Sequence, residues 1–556
     1  MSSSEELIEL VKKLKRERSF VAAEQKHIRE QYIQLLKLAE HVQHRQWITC
    51  HQRYILSSLI YPNRNDQNIQ PKSSFQHIQN LDNISFIDSH KCFIYLQDLP
   101  YLRFLTYLRQ QPNLLALCLA YIEKAEGLLI NITIPILISA IYNQCLYYDD
   151  ELYILELLRS LIDIQLRNES NPRIVLQRAS CSFKIVFDAF LTASQSCKLF
   201  LTAILHEPIM QLLIDDECFY DINPDISLNR FSKQERLKKF GQTGTRDYFE
   251  KIQKYRNVIL TKLYTFTSTF VESLRNGLNF FPTSLSFLIS QMFTILSKSS
   301  ELSLREIRCL CCDIIMTFFI GPAICEPEKH GIIADIPIST IARHNLNQIA
   351  IILQTLAMSN DTDPKTKDLY SKFKENCVSS ILDSLIDSSR NVIYPLRSTT
   401  ISTTNINRTT ILITQKQLRQ LIAFCRRASP EINDNESKQQ LEGYLKALLP
   451  FEECLKPSYL APIPVIANVN EQQTEHNHRH HRRPNGTRDS HTAKVERIEP
   501  IQYSEDVIVF TLESSDNECP GMLSEEKVTY FSLSRELKIK MISFVRFCKK
   551  MKEQNY

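Results

Sequence analysis

Apolar residues recur every three or four positions along most of the chain, which is the spacing that one face of an α-helix produces. In the clearest case they step in this way from Tyr248 to Leu274, and we interpret that stripe as core packing rather than as a platform for nucleic-acid bases. The same pattern predicts one or two long helices up to about residue 60. Further helices are predicted over residues 149–166, 183–190, 287–296, 302–319, 341–357 and 369–386, with a helical pair within 412–449.

Three stretches interrupt this pattern: residues 61–90, residues 389–411 and residues 451–500. The first two are rich in polar residues that favour turns and loops. The third is Pro-rich and then carries the tract EHNHRHHRR at residues 475–483. A His-rich tract can bind a metal ion, but no scaffold is predicted around this one. We therefore interpret residues 451–500 as a disordered linker and predict no metal site.

Two weaker signals follow the linker. Residues 507–510 (VIVF) predict a short strand or a binding motif. Residues 532–554 predict a basic amphipathic helix. Such a helix would contact an anionic membrane or a partner, or it would pack as an ordinary terminal helix.

Composition narrows the fold class and the location. Glycine accounts for only 9 of the 556 residues, and since hairpin turns and phosphate-binding loops depend on glycine, an all-α fold without a P-loop is predicted. The net charge of +4 is too small to indicate nucleic-acid binding. The 16 cysteines are scattered, mostly inside apolar helices, which indicates reduced thiols and a cytoplasmic protein.

Residues 171–183 (NPRIVLQRASCSF) separate two predicted helices. Pro172 disfavours helix at the residue before it, and Ser180 or Ser182 is suited to cap a helix that restarts there. Arg178 is thus predicted on a loop at a helix start, where the positive end of the helix dipole opposes its charge. Stability alone does not place an arginine there, although a solvated surface arginine is the ordinary alternative.

Two further stretches favour a functional interpretation. Residues 313–327 (DIIMTFFIGPAICEP) predict a buried helix that stops at Gly-Pro, and residues 341–357 (IARHNLNQIAIILQTLA) predict another helix. In their order and spacing, the three stretches resemble the GTPase-activating domain that acts on Ras-type GTPases (RasGAP). The resemblance covers about residues 130–390 and implies an all-helical domain.

By this resemblance, Arg178 matches the family's arginine finger, which enters a partner GTPase and stabilises the charge that develops during GTP hydrolysis. GTP and Mg²⁺ belong to the GTPase, so the resemblance implies no cofactor for this chain. It also implies that the protein regulates a GTPase in trans rather than acting on a substrate of its own. Further positions that the resemblance assigns to finger support or GTPase contact are Gln177, Ala179, Pro322, Arg343 and Gln354.

Two positions depart from the family pattern. The family carries an arginine that supports the finger loop where this chain has Phe318, and a basic residue that faces the GTPase where this chain has Ile351. A finger without support loses ordering entropy at each encounter, and loss of an interface charge weakens steering.

A second resemblance extends over most of the chain. Residues 198–213 (KLFLTAILHEPIMQLL), 331–335 (GIIAD) and 520–525 (PGMLSE) are similar to GTPase-activating protein and VPS-nine domain-containing proteins. That family works in endocytosis and early-endosome traffic, and it joins a RasGAP domain to an exchange domain for an endosomal Rab. No segment of this chain resembles that exchange domain.

These observations predict five segments. Residues 1–129 form an N-terminal helical extension, residues 130–390 the RasGAP domain, and residues 391–450 a C-terminal helical pair. Residues 451–500 form the linker, and residues 501–556 a strand and a basic helix.

Two functions follow from the resemblances. The first is catalytic activation of a Ras-superfamily GTPase, in the cytoplasm or at the endosomal or plasma membrane. The second is a catalytically weak scaffold that binds a GTPase or endocytic coat and adaptor proteins. Arg178 favours activation, whereas Phe318 and Ile351 favour the scaffold.

Overall fold

In a computed structural model of the chain, the structure describes residues 3–512 except for 61–80, 82–83, 95–96, 126, 168, 216–217, 300–301, 334–336, 359–365, 391–407, 433 and 457–505. Four features predicted from the sequence lie wholly or largely outside these residues. They are the loops at 61–90 and 389–411, the linker at 451–500 with its His-rich tract, and the helix at 532–554.

The chain begins with one long helix, α1 (Ser3–Ile60), as the apolar spacing predicts. Its side chains from residue 8 to residue 42 are mostly exposed, whereas Gln43 and Trp47 are buried. Gln43 exchanges two hydrogen bonds with Thr410, at 3.0 and 2.6 Å. The C-terminal part of α1 therefore packs against the body of the protein.

Trp47 packs against a small sheet of three strands, β1 (Phe86–Asp88), β2 (Thr410–Thr414) and β3 (Val507–Thr511). The central strand is β3, which pairs in parallel with β1 and antiparallel with β2. The first four residues of β2 and of β3 are buried, which fits their apolar sequences. The short strand predicted at 507–510 is thus confirmed, in an otherwise helical fold.

The helices that follow the first strand form the base on which the rest of the domain packs. The helix over 148–165 packs closely against the helix over 112–125, since both carry Leu and Ile on one face. The predicted boundary at residue 130 falls inside a helix. The elements are α2 (Ser89–Cys92), α3 (Asp98–Gln110), α4 (Pro112–Ala125), α5 (Gly127–Ile136) with a π-helical turn (Leu137–Ile141), and α6 (Tyr148–Gln165) after a 3₁₀ turn (Asn143–Cys145).

Arg408, just before β2, is buried and connects this base to the sheet. It donates hydrogen bonds to the carbonyl oxygens of Ala140, at 2.8 Å, and Ile141, at 2.5 Å. Its guanidinium also lies 3.4 Å from a carboxylate oxygen of Asp150. A buried charge is stabilised by such complete pairing.

The middle of the domain is a layer of helices around an aromatic core. Phe200 and Phe319 stack at 5.9 Å between ring centroids, and Phe281 meets Phe200 edge-on at 5.3 Å. The layer consists of α7 (Pro172–Gln177), α8 (Ser182–Ala193), α9 (Gln195–Ile214), α10 (Pro224–Asn229), α11 (Lys233–Phe240), α12 (Arg246–Gly277) with a 3₁₀ turn (Leu278–Phe280), and α13 (Thr283–Leu296).

The helix predicted to stop at Gly-Pro continues through it, so that prediction is wrong. α14 (Leu304–Cys312) runs into a π-helix (Asp313–Ile320) and then into α15 (Gly321–Cys325). In the wider π turn, the backbone N–H of Gly321 donates to the carbonyl of Met316. A Cβ at Gly321 would lie 2.7 Å from that oxygen, so only glycine fits this turn. Pro322 is tolerated because it lies in the first turn of α15.

The remaining described helices close the domain. The helix over 340–358 contacts α9, α12, α14 and α15, so it touches most of the middle layer. The helical pair predicted within 412–449 is confirmed. The elements are α16 (Thr340–Met358), α17 (Lys367–Tyr370), α18 (Ser379–Ser389), α19 (Gln415–Ala428) with a 3₁₀ turn (Ser429–Glu431), α20 (Asn435–Ala447) and α21 (Phe451–Cys454).

Two described helical stretches, Gln195–Ile214 and Leu304–Cys325, are long and apolar enough to cross a membrane by length and composition. Both are packed within this helical domain, through contacts with α12, α13 and α16.

Candidate functional site

The site is built around residues 178–181, which we call the Arg178 loop and which join α7 to α8. Helix restarts at Ser182, as predicted. An additional short helix begins at Pro172, because proline suits the first helical position. The N-cap residue of α8 is Cys181, and its side chain makes no capping hydrogen bond to the helix. The prediction of a serine cap is therefore wrong, whereas the loop itself lies where it was expected.

Arg178 has an exposed side chain on a fixed backbone. Its N–H donates to the carbonyl of Val175 at 3.1 Å, and its own carbonyl accepts from the N–H of Cys181 at 3.2 Å. In the part of the chain that the structure describes, no side chain pairs with its guanidinium. Gln177 and Ala179, on either side, are also exposed. The loop thus presents a free cation from a closed turn.

The start of α8 is capped by side chains from two other helices. Glu123 of α4 accepts the N–H of Ser182 at 2.8 Å, and Gln165 of α6 accepts the N–H of Phe183 at 3.1 Å. Gln165 also donates to Glu123 at 2.5 Å, which orients both side chains. These bonds satisfy N–H groups that a helix start leaves unpaired, and the carboxylate suits the positive end of the dipole.

Gly127 allows the Arg178 loop to lie close to α5. A Cβ at this position would lie 3.1 Å from the Cβ of Ser180, closer than side chains normally pack. Together with Glu123 and Gln165, Gly127 fixes the C-terminal side of the loop from helices that precede it in the chain.

The N-terminal side of the loop is held by a chain of polar contacts. Arg173 of α7 donates to both oxygens of Asp313, at 2.6 and 3.1 Å. Asp313 also accepts from Thr317 at 3.1 Å, and Gln354 of α16 donates to Thr317 at 3.0 Å. The three stretches that carry the family resemblance therefore meet in one hydrogen-bonded network.

Phe318 contributes an aromatic face where the family has its supporting arginine. The ring is half-buried, and the ammonium of Lys184 from α8 lies over it, 5.3 Å from the centroid. A cation–π contact of this kind is worth about 0.5–1 kcal/mol at a partly exposed site. A positive charge is therefore present here, supplied by α8 instead of the π-helix.

Arg343 acts on the segment that follows α15. It donates to the carbonyl of Cys325 at 2.5 Å and pairs with both oxygens of Glu328. Pro322, in the first turn of α15, is half-exposed. The structure thus places Arg343 as a support for the chain beyond Pro322, rather than on the Arg178 loop.

The turn that begins at Asp221 packs on the other side of α16. Asn345 is fully buried and accepts the N–H of Tyr220 at 2.7 Å, and His344 lies 2.8 Å from Asp221. Burial by itself raises the pKa of the Asp221 carboxyl, but hydrogen bonds from Arg230 and a neighbouring serine outweigh burial and hold this pKa below its usual value. Asp221 is therefore a charged anchor at neutral pH.

Ile351 lies one turn before Gln354 on α16 and is 47% exposed. Ile174, next to Arg173, is 54% exposed. Ile174 is thus next to a member of the polar network in sequence, and Ile351 is one helical turn from another. The surface on that side is apolar where the family has a basic residue.

Within the described ranges, no group of three or more His, Cys, Asp or Glu side chains is arranged to hold a metal ion. The buried thiols nearest this site are protonated at neutral pH, since burial raises the pKa of Cys181 to about 11 and that of Cys312 to about 12.

Sequence reasoning missed four residues of this site: Glu123, Gln165, Arg173 and Asp313. Arg173 and Asp313 lie inside the stretches singled out above, but their pairing across 140 positions is visible only in the fold. Glu123 and Gln165 had no local signal, because each caps a helix in which it does not lie. A cap supplied from another helix leaves no spacing pattern.

Comparison with known proteins identifies the domain that carries this candidate site. Residues 157–358 match the family model described as GTPase-activator protein for Ras-like GTPase. These residues form a RasGAP domain, and the described structure has the all-helical fold that the resemblance implied. Glu123 and Gly127, which hold the Arg178 loop, precede the matched residues.

The particular relatives are proteins named for GTPase activation and for endocytosis. The chain is 34% identical over 536 residues to the human (Homo sapiens) GTPase-activating protein and VPS9 domain-containing protein 1, a match that covers 94% of this chain and 36% of that protein. It is 32% identical over 364 residues to the receptor-mediated endocytosis protein 6 homolog of Drosophila pseudoobscura pseudoobscura, covering 64% of this chain and 20% of that protein. The predicted resemblance is confirmed, and the chain spans about a third or less of the length of these relatives.

Proposed function

We propose that this protein accelerates GTP hydrolysis by a small GTPase of the Ras superfamily, with Arg178 as the arginine finger. The observation that carries the proposal is an exposed guanidinium, unpaired among the residues that the structure describes, on a loop whose backbone is fixed on both sides. Arg178 also lies within the residues that match the RasGAP family model, at the position where the resemblance places the arginine finger, and this favours the finger over an ordinary solvated arginine.

The chemistry required of the chain is small. The GTPase holds GTP, Mg²⁺ and the attacking water, and the finger stabilises the negative charge that develops on the transferred phosphoryl group. Arginine suits this role because its planar fork bonds two oxygens and stays charged. A finger of this type is worth roughly 10³–10⁵ in rate.

The support that the family draws from an arginine at the position of Phe318 comes from other groups here. Glu123 and Gln165 hold the start of α8, and the Arg173–Asp313 pair holds α7. Because the loop is ordered before the GTPase arrives, less entropy is lost on binding. We assign Gln177, Ala179 and Pro322 to contact with the GTPase, and Arg343 and Gln354 to support of the surface around them.

The setting that we propose is endocytosis, since the relatives from Drosophila pseudoobscura pseudoobscura and Caenorhabditis elegans are named for receptor-mediated endocytosis. The protein would act in the cytoplasm and peripherally at endosomal or plasma membranes, with endocytic coat or adaptor proteins as further partners.

The test is single-turnover GTP hydrolysis by a panel of Ras- and Rab-family GTPases with the wild type, Arg178→Ala and Arg178→Lys. We expect at least one GTPase to be accelerated about 10³-fold or more, and Arg178→Ala to abolish the gain. Arg178→Lys keeps the charge without the fork and should recover only a small part. Arg167→Ala, which removes a half-exposed arginine that pairs with Asp163 at the end of α6, is the control and should retain full activity.

A second function is favoured by Phe318 and Ile351. If several GTPases bind but none is accelerated, and Arg178→Ala leaves their affinity unchanged, the protein is a scaffold with a RasGAP fold. If acceleration survives Arg178→Ala, hydrolysis is stimulated by a different group and the finger assignment is wrong.

A further inference from the structure

Three aromatic rings surround one lysine ammonium where α11 packs against α12. The Nζ atom of Lys239, in the last turn of α11, lies 4.6 Å from the ring centroid of Phe231, 4.8 Å from that of Tyr255 and 5.9 Å from that of Phe240. A cation within about 6 Å of a ring centroid is attracted by the face of the ring. We call Phe231, Phe240 and Tyr255 the Lys239 cage. None of these residues belongs to the Arg178 loop or to its polar network.

The rings of the Lys239 cage form three walls rather than a stack. Phe231 and Phe240 meet at 74° between their ring planes, Phe231 and Tyr255 at 67°, and Phe240 and Tyr255 at 66°. Phe240 is 2% exposed, and Phe231 and Tyr255 are partly buried around it. Because edge-to-face contacts between aromatic rings are favourable in themselves, the cage should keep its shape when Lys239 leaves it.

Lys239 contacts the rings although an acidic residue lies one turn away on its own helix. Glu235 precedes it by four residues, the spacing of a helical ion pair, but the carboxylate of Glu235 accepts the N–H of Ser232 at 2.9 Å instead. Among the residues that the structure describes, no carboxylate pairs with Lys239. The residue as a whole is exposed, so its side chain can leave the cage for solvent. The ring faces are therefore the contact that holds this ammonium.

The cage thus accepts a lysine side chain, and a methylated lysine suits it better than an unmodified one. A primary ammonium loses hydrogen bonds to water when it enters a site lined by rings, which accept hydrogen bonds only weakly. A trimethylammonium group keeps its charge and has no N–H to lose, and aromatic cages are the sites that bind it in proteins. Burial raises the pKa of Tyr255 to about 12, so its ring is uncharged at neutral pH and attracts the cation through its face.

We propose that the Lys239 cage binds the Nζ-trimethylated side chain of a lysine on a partner protein, in exchange for Lys239. Because Lys239 is tethered beside the cage, it competes at a high effective concentration. An unmodified lysine of a partner has no advantage over it and does not displace it, whereas a trimethylated lysine does. Lys239 therefore acts as a filter that makes the cage selective for the methylated form. This binding does not depend on GTPase activation.

The experiment is saturation-transfer NMR on the full chain, with Nα-acetyl-Nζ-trimethyl-lysine amide and the same compound without the methyl groups as probes. We expect saturable binding of the trimethylated probe and at least about tenfold weaker binding of the unmodified one. Lys239→Ala empties the cage and should tighten binding of the trimethylated probe about tenfold, because the fraction of molecules with a free cage rises. Lys238→Ala, at the exposed neighbouring position, is the matched control and should bind like the wild type.

Two substitutions at Tyr255 test the wall itself. Tyr255→Leu keeps an apolar side chain but removes the ring face, and it should weaken binding of the trimethylated probe at least about tenfold. Tyr255→Phe keeps the face and should bind like the wild type. Thermal unfolding verifies that the variants fold, and Phe231→Leu replaces Tyr255→Leu if the latter does not.

Four results would overturn the proposal. The first is no saturable binding of the trimethylated probe by the wild type, and the second is equal binding of the two probes. The third is a Lys239→Ala variant that binds no more tightly than the wild type, since the probe would then occupy another surface. Choline has the same head group without the lysine stem, and binding of choline as tight as that of the trimethylated probe is the fourth, because it would assign the cage to ligands other than a protein side chain.

Discussion

The two sides of the Arg178 loop are held by different chemistry. On the N-terminal side, α7 is tied to the π-helix by the ion pair between Arg173 and Asp313. On the C-terminal side, α8 is capped by Glu123 and Gln165, which accept backbone N–H groups. The contact on the N-terminal side joins two side chains, whereas the contacts on the C-terminal side bind the backbone next to the loop.

This difference indicates which side fixes the loop. The Arg173 side chain is 46% exposed, whereas that of Asp313 is only 9% exposed. Because one partner of the pair is open to solvent, the pair contributes less than a fully buried one would. Removing an acceptor from partly buried N–H groups costs about 1–3 kcal/mol. The backbone caps should therefore carry most of the positioning that the family obtains from an arginine at the site of Phe318.

The largest effect is expected from Glu123→Ala. The change leaves the Ser182 N–H and the Gln165 amide without their acceptor, and α8 can shift at its first turn. Since a 1 Å misplacement can cost about a hundredfold in rate, we expect a fall of about that size in single-turnover hydrolysis at saturating protein. Affinity for the GTPase should change little, because Glu123 lies behind the loop.

Two controls separate positioning from a general loss of stability. Glu123→Gln keeps one acceptor oxygen and should recover much of the rate. Lys124→Ala, at the exposed neighbouring position, should behave as wild type. If Glu123→Ala lowers the melting temperature but keeps the rate, the cap is structural only and the comparison between the two sides is wrong.

Asp313→Asn should have a smaller effect. It weakens the bond to Arg173 but leaves an oxygen to accept from it, and the caps on α8 remain. We expect a loss of about tenfold or less, equivalent to about 1.4 kcal/mol. A double-mutant cycle with Arg173→Met should show coupling between the two residues and none between Arg173 and Glu123. A loss larger than that of Glu123→Ala would reverse the comparison.

Phe318→Arg tests whether the loop would gain activity from the arginine that the family has at this position. The new guanidinium would replace the ring under the ammonium of Lys184, where two cations repel each other. Since the lost cation–π contact is worth about 0.5–1 kcal/mol, the rate should stay within about fivefold of wild type. Hydrolysis assays of Phe318→Arg and Lys184→Ala, alone and together, measure this. A tenfold gain from Phe318→Arg alone would show that the loop lacks support.

The smallest effect on hydrolysis is expected from Asp221→Asn. For this variant the quantity to measure is the free energy of unfolding as a function of pH. Because the pKa of this carboxyl is lower in the folded protein than in the unfolded chain, its contribution is complete above the unfolded value of about 3.9. It is lost as pH falls through the folded value. Urea unfolding at neutral and acidic pH should show wild type and Asp221→Asn converging as pH falls, and a constant difference would contradict the assignment.

The sequence predicted most of the helices and the position of the Arg178 loop, because apolar spacing and proline act locally. It did not predict that the helix continues through Gly321 and Pro322. A Gly-Pro pair normally ends a helix, and only the π turn, which places the N–H of Gly321 on the carbonyl of Met316, allows the helix to continue. Such a turn depends on packing around it and has no spacing of its own.

The candidate site was predicted in part for a similar reason. The motif singled out Arg178 as the candidate finger, and the resemblance marked Phe318 and Ile351 as departures; these assignments stay predictions. The groups that hold the loop, above all Glu123, were not singled out, because their partners are backbone atoms of another helix. Contacts of that kind are defined by how α4, α6 and α8 pack, and they become visible only in the folded protein.

The small sheet has a consequence for the synthesis of the protein. Its central strand, β3, lies about 420 residues after β1 in the chain. At roughly 5–20 residues per second, a ribosome completes β3 on the order of 20–80 s after β1. During that interval β1, joined after residue 414 by β2, lacks the central strand, and Trp47 lacks Val507 and Val509. Newly made chains on one messenger are therefore most prone to pair with each other through these strand edges before translation passes residue 511.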